Sequence, residues 1–263
     1  MSFNNEYSVP SLFHRTLSVW LRHVIVYKSN FFSNAFPPFL EPLISLAGLG
    51  LGLGAFIQTM GNMSYILFLA SGLIVTSAMF TAAYECTFGT FIRLEFDKVY
   101  DGMLGAPLSP NNLMVGEILF AGTKGFFFSF AVLLVIWVAG IVNYPLSILA
   151  TLVGFITGVM FGSLSMFITS FVKNINHFNF YFTGLLSPMF FFSGVVFPLE
   201  SLPPALRNVA EVVPLTHVVR LARALSVPDT LKLSLLLDLA YCIVFAIIFG
   251  WLAIRSLRKR MIV

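Results

Sequence analysis

LSILATLVGFITGVMFGSLSMFITSF, residues 146–171, contains no Asp, Glu, Lys, Arg or His. A helix that crosses a bilayer needs about 20 mainly apolar residues, and this stretch is longer than that. Gly154, Gly158 and Gly162 form two overlapping G-x-x-x-G units within it, which lets another backbone approach closely. Two readings fit those glycines, packing within the chain or a contact between subunits. Comparable apolar stretches lie at 39–59, 64–84, 122–142 and 232–254. In the first of them Gly48, Gly50, Gly52 and Gly54 fall on more than one face. A sixth stretch, 177–197, contains Pro188, Asn179, Ser187 and Ser193 but is still long and Phe-rich enough to cross. The expectation is an all-α membrane protein with six transmembrane helices.

Composition agrees. Of 263 residues, 58% are hydrophobic, 10% are charged and 30 are phenylalanine. A soluble domain carries about a quarter charged residues, so too little polar side chain is present here to cover a globule. A soluble enzyme, a disordered chain and a coiled coil are excluded. The 1–263 chain reads as a single transmembrane domain.

Residues 1–35 carry Glu6, His14, Arg15, Arg22, His23 and Lys28 without a clean apolar core, which is not the pattern of a secretory leader. Over 11–28 the spacing predicts an amphipathic helix. Phe13, Leu17, Trp20, Leu21 and Val24 recur on one side, with Arg15, Ser18 and Arg22 opposite, the pattern of a helix lying in the membrane interface. With the N-terminus inside, the cytoplasmic segments hold Arg15, Arg22, Lys28, Arg93, Lys98, Lys173, Arg255, Arg258, Lys259 and Arg260. The short outside turns Gln58–Asn62 and Asn143–Pro145 hold no Lys or Arg, and Arg207, Arg220, Arg223 and Lys232 share one long outside segment. This positive-inside pattern puts both termini in the cytoplasm. The net charge of +4 is thereby a matter of orientation, with no call for a nucleic-acid partner.

Motifs for chemistry are absent. Gly122-Thr-Lys-Gly125 lacks the spacing of a phosphate loop, and there is no H-E-x-x-H and no G-x-S-x-G. His14, His23, His177 and His217 are scattered, and Cys86 and Cys242 make neither a metal site nor an easy pair. The chain reads as no enzyme, with no metal site. Charges within the apolar stretches are few: Glu85 and Lys124 form a candidate ion pair near the inner ends of adjacent helices, Glu41 precedes Pro42, and Asp238 lies near the outer end of the last helix. A proton-driven carrier wants a carboxylate near the midplane, and none stands there clearly.

Two further segments are too polar or too broken to cross. In the inner loop 85–112, Phe96, Val99, Tyr100, Met103 and Leu104 share a helical face over 94–105, ended by Gly105 and Pro107. Two readings fit, an interfacial helix on lipid headgroups or a docking surface for a protein. Glu95, Asp97 and Asp101 favour the protein. In the outside segment 198–230, Pro198, Pro203, Pro204, Pro214 and Pro228 divide two short amphipathic helices. Leu206, Val209, Ala210 and Val213 stripe the first, and Leu215, Val218, Val219 and Ala222 the second, opposite His217, Arg220 and Arg223. An outer gate and a simple packing lid fit this re-entrant segment equally.

Ser187-Pro-Met-Phe-Phe-Phe-Ser-Gly-Val-Val-Phe-Pro-Leu-Glu-Ser-Leu-Pro-Pro204, followed by Val213-Pro-Leu-Thr-His-Val-Val-Arg220, resembles the C-terminal signature of ABC-2 type permeases. Tyr84-Glu-Cys-Thr-Phe88, Tyr100-Asp-Gly-Met-Leu104 and Gly116-Glu117 through Lys124 resemble the NodJ-like branch of that family. The resemblance implies the transmembrane subunit of an ABC exporter in the bacterial inner membrane. It would be paired with a second permease, either another copy in a homodimer or a related subunit, and with two copies of a separate ATP-binding subunit that holds ATP and Mg. The chain itself needs no cofactor. The 94–105 helix would be the coupling helix, contacting the ATPase through Phe96, Tyr100, Asp101, Met103 and Leu104. Asn179, Tyr181, Phe182, Phe190 and Phe191 are the candidate translocation path, and His217, Arg220 and Arg223 the outside gate. The branch implies a lipid-linked saccharide or lipo-oligosaccharide as substrate, the wider family a drug or other lipid. An ion-coupled carrier and a non-transporting scaffold are the readings from other classes.

Overall fold

The computed structural model describes residues 11–29, 31–57, 59–60 and 63–261. Glu6 and part of the Gln58–Asn62 turn lie outside the described residues, as does the side chain of Glu41. Helix α1 is Leu12–Ser29 and α2 covers residues 31–55, passing from α-helix through a π turn at Leu46–Leu51. A two-residue hairpin, β1 (Thr59–Met60) with β2 (Met63–Ser64), turns the chain back. Then follow α3 (Tyr65–Phe96), α4 (Val99–Leu104), α5 (Pro110–Val138) and α6 (Pro145–Thr169). The last elements are α7 (residues 175–192), α8 (Pro204–Val212), α9 (Pro214–Ser226) and α10 (Leu235–Met261).

Among the described residues, four helices are long and apolar enough to cross a membrane: α3, α5, α6 and α10. The two other expected crossings are shorter. Helix α7 rises only about 27 Å at 1.5 Å per residue, just under a hydrocarbon core of about 30 Å. The apolar part of α2, Pro42–Ala55, is shorter still. Helix α2 starts beside Phe127, partway along α5, and runs to the hairpin. The near end gathers the start of α1, the C-termini of α3, α6 and α10 and the start of α5. There Asn112 Nδ2 donates to Thr16 Oγ1 at 3.3 Å, and Arg260 donates to the Thr169 and Val172 carbonyls at 2.7 Å. The far end gathers the hairpin, α8, α9 and the start of α10.

Local chemistry explains where the elements depart from the apolar pattern. Helix α5 begins at Pro110 and not at 122, because Ser109 and Asn112 form a reciprocal capping box and Pro110 suits the first helical position. It stops at Val138, with Gly140 in the left-handed region (φ +69°) two residues on. Helix α3 runs past Tyr84 to Phe96, about 48 Å, so its last turns extend beyond the expected 64–84 crossing. In α7, Pro188 has no amide to donate, and the π turn at Phe182–Leu186 lies directly before it. Ser187 Oγ donates to the Phe182 carbonyl there at 3.0 Å.

Helix α1 packs along the first half of α5 through Thr16, Val19, Trp20, His23 and Tyr27. Trp20 Nε1 donates to Thr123 Oγ1 at 2.9 Å, and the His23 ring stacks on Phe120. Phe13 and Leu21, from the apolar stripe expected to be buried in the interface, remain exposed on the protein. The G-x-x-x-G glycines serve packing within the chain. A Cβ on Gly158 would stand 2.6 Å from the Ala121 carbonyl oxygen, and one on Gly125 2.6 Å from that of Gly154. Helices α5 and α6 thus touch backbone to backbone. Replacing Gly158 by Val is expected to destabilise the detergent-solubilised protein by about 1–3 kcal/mol through overpacking. Gly48→Ala, where a Cβ meets nothing within 4 Å, is expected to leave the thermal midpoint unchanged or raised. Equal midpoints for the two variants would contradict the close contact.

Candidate functional site

Burial of a charge is affordable only when partners replace the lost water. Glu117, on α5, is 1% exposed and is surrounded by donors from three other elements. Arg93 of α3 reaches it twice, Nε to Oε1 at 3.0 Å and Nη2 to Oε2 at 3.2 Å. Thr90 Oγ1 donates to Oε2 at 2.6 Å, and the Tyr100 hydroxyl of α4 donates to Oε1. His23 Nε2 of α1 stands 3.4 Å from the same oxygen. Arg93 also donates through Nη1 to Glu85 Oε1 at 2.8 Å, and Lys124 Nζ donates to Glu85 Oε2 at 2.8 Å. Two carboxylates and two cations therefore close a neutral network across α3 and α5, with α1 and α4 attached to it. Gly116 makes room for α1, since a Cβ there would stand 2.6 Å from Val19 Cγ1.

Beside this network lies a cavity of about 640 Å³ between α1, α2, α3, α5 and α7. Its polar wall includes Tyr27, Ser77, Thr81, Glu85, Arg93 and Lys124; its aromatic wall includes Phe80, Tyr84, Phe120, Phe190 and Phe191. The buried hydroxyls of Tyr27 and Thr81 have no hydrogen-bond partner within the chain. Each π turn among the described residues contains or adjoins a lining residue: Ser45 before Leu46–Leu51, Glu85 in Glu85–Gly89, Arg93 in Ile92–Phe96, Ser187 after Phe182–Leu186. Such turns insert a residue and re-aim the side chains that follow, and they recur at functional sites.

The sequence-predicted residues distribute unevenly over this site. Glu85 and Lys124 come together, and Phe190 and Phe191 join them as cavity wall. Phe182 stacks behind on Tyr84 with ring centroids 4.4 Å apart. Asn179 is exposed away from the lining, and Tyr181 is buried with its hydroxyl 2.8 Å from Ser165 Oγ. In the inner loop the helix expected over 94–105 is corrected to Val99–Leu104. Phe96 ends α3, and Lys98 takes a left-handed conformation (φ 52°) that breaks the helix before α4. Tyr100 therefore turns inward while Asp101 and Gly102 face out, with Met103 and Leu104 half-buried. Burial, and then the Glu117 carboxylate, push the Tyr100 hydroxyl well above its ordinary range, which keeps it a donor. The wider cluster of Thr90, Arg93, Glu117 and His23 is not readable from the sequence, where only Gly116-Glu117 forms part of a motif.

At the far end, His217, Arg220 and Arg223 are all engaged within the chain. Arg223 lies 3.7 Å over the Phe68 ring and donates to Ser71 Oγ and to the Phe68 and Gly194 carbonyls. His217 Nδ1 lies 2.6 Å from Asp238 Oδ1 and Nε2 3.0 Å from the Glu211 carbonyl. Arg220 bridges Asp238 and Glu211. Cys86 and Cys242 are buried free thiols, and the described residues contain no group that could hold a metal ion.

Arg93 holds both carboxylates; Glu85 keeps Lys124 when Arg93 is lost, but the buried charge of Glu117 is left without its cation. Arg93→Met is expected to destabilise the solubilised protein by about 3–5 kcal/mol. Glu117→Gln is expected to cost less, because the one amide oxygen still accepts from Tyr100 and Arg93 Nε, and Arg93 keeps Glu85 as its charged partner. Thermal unfolding of both variants checks this; a neutral Arg93→Met would contradict the network's role.

The family model described as ABC-2 type transporter matches residues 14–226. Nodulation protein J of Sinorhizobium fredii is 31% identical over 246 residues, covering 94% of each chain. Nodulation protein J of Rhizobium leguminosarum bv. viciae is 34% identical over 207 residues, 79% of this chain and 80% of that one. An inner membrane transport permease of Escherichia coli, YadH, is 23% identical over 208 residues, 78% of this chain and 76% of that one. With its apolar helices and the family match over most of its length, the chain belongs to the ABC-2 type transporter family.

Proposed function

We propose that the chain is the transmembrane permease subunit of an ATP-driven exporter in the bacterial inner membrane. In this reading α2 and α7 join α3, α5, α6 and α10 as six crossings, and the basic near end faces the cytoplasm. A second copy completes the pathway, and two copies of a separate ATP-binding subunit supply the hydrolysis. The single observation that carries the reading is a hydrogen-bonded chain leading from α4 to the cavity wall. It runs from Tyr100 to Glu117, Arg93, Glu85 and Lys124. A partner that pushes on the exposed Asp101 face of α4 thereby acts on the cavity through buried charge pairs, which tolerate little stretching.

The cavity supports an amphiphilic substrate, first among them a lipid-linked saccharide or lipo-oligosaccharide. Aromatic rings offer faces for a sugar ring, and the Tyr27 and Thr81 hydroxyls offer hydrogen bonds. Every cation of the lining is already paired, so an uncharged head suits this wall better than a phosphate. Val26 and Phe191, both half exposed, line the cavity and leave a side way out for an acyl chain. A drug or other lipid is the second choice. An ion-coupled carrier is disfavoured, since Glu85 and Glu117 are both held in ion pairs.

Purification from native membranes in mild detergent is expected to recover an ATP-binding subunit together with ATPase activity. Asp101→Lys combined with Met103→Glu is expected to release that subunit without unfolding the chain, because Asp101 is exposed and Met103 half-buried. A chain that comes out alone, or an ATPase that stays bound to the double variant, would defeat the assignment of α4 as the docking helix.

A further inference from the structure

We propose that the near end of α10 is a binding site for an anionic phospholipid, its phosphate held in the groove between α10 and the start of α5. The groove has a volume of about 620 Å³ and is lined by Asn111, Trp251, Ile254, Arg255, Arg258 and Lys259. The basic run at this end divides by use. Arg260 turns inward to the Thr169 and Val172 carbonyls and to Glu95. Arg255, Arg258 and Lys259 are exposed and make no ion pair among the described residues. Three cations held on one helix, close together and unneutralised, call for an anion from outside the chain.

The neighbouring surface says which anion. At about 100° per residue, Trp251, Ile254, Arg255 and Arg258 share one face of α10, and Val244, Ile247 and Ile248 continue that face toward the middle of the helix. All three of those aliphatic residues are exposed, as is Trp251, whose ring lies under the Arg255 guanidinium at 5.3 Å. A tryptophan at this level marks the headgroup region of a membrane. The face is therefore cationic at its end, aromatic at its boundary and aliphatic below. A phosphodiester with acyl chains matches that order; a soluble phosphate uses only its top, and an acidic protein leaves the aliphatic lane uncovered. Attraction of basic side chains to anionic headgroups is of known size.

The test uses the full chain in vesicles, with Trp251 as reporter in a Trp20→Phe, Trp137→Phe background. Brominated phosphatidylglycerol is expected to quench Trp251 well beyond brominated phosphatidylcholine at equal mole fraction. Neutralising Arg255, Arg258 and Lys259 to Gln is expected to abolish that preference, with apparent affinity falling about fivefold for each cation. Native mass spectrometry of the chain with all three tryptophans, released from mixed lipid, checks the same point without the Trp substitutions: bound phosphatidylglycerol is expected, and its loss in the triple Gln variant. Equal quenching by the two lipids, or selectivity that survives the triple variant, would overturn the site. So would loss of a co-purifying ATPase from the triple variant with lipid selectivity unchanged, which would assign the patch to a protein.

Discussion

The carboxylate of Glu117 is the constraint around which the near end of the molecule is built. A buried charge without partners is among the costliest features a fold can hold, and three other elements converge on Glu117. Arg93 and Thr90 fix α3 against α5, Tyr100 fixes the short loop helix, and His23 brings in the N-terminal helix. None of these elements can shift by a side chain's length without leaving an oxygen or a guanidinium unpaired. Because Arg93 is shared with Glu85, and Glu85 with Lys124, the same requirement reaches the wall of the cavity.

The two ends of the bundle are held by different means. At the far end, Arg223 is threaded between two carbonyls and a hydroxyl over the face of Phe68, and His217 joins α9 to α10 through Asp238. These are short bonds across adjacent, well-packed elements. Nearer the other end the polar network forms one wall of an open volume, and each π turn among the described residues contains or adjoins a residue that lines it. A region with π turns, an adjoining void and a network of shared charges is suited to exist in two arrangements. The far-end cap, clamped on two sides, is suited to stay in one.

Much of this was legible in the sequence, and what was not has a physical cause. The apolar runs gave helices, the prolines at 203, 204 and 214 gave the starts of α8 and α9, and Glu85 with Lys124 was visible as a pair. Helix ends were misjudged where polar residues continue a helix beyond its apolar part, as at Asn111–Glu117 in α5 and Glu85–Glu95 in α3. Phe96 and Tyr100 shared a face on paper; the left-handed Lys98 between them is a backbone choice that side-chain periodicity does not report. Glu117 and Arg93 lie 24 residues apart on different helices, and only packing brings them to 3.0 Å. The π turns left no trace in composition, and neither did the cavity beside them.

The central claim, that a push on α4 reaches the cavity through Tyr100 and Glu117, is tested most directly by a distance. Spin labels at Val26 and Phe191, both exposed at the cavity mouth, report its width by pulsed electron paramagnetic resonance in the complex with the ATP-binding subunit. Trapping that subunit with ATP is expected to change the distance in the parent chain. With Tyr100→Phe, which removes only the hydroxyl that donates to Glu117, the distance is expected to stay at its nucleotide-free value. The same ATP-dependent change with and without that hydroxyl would contradict the claim.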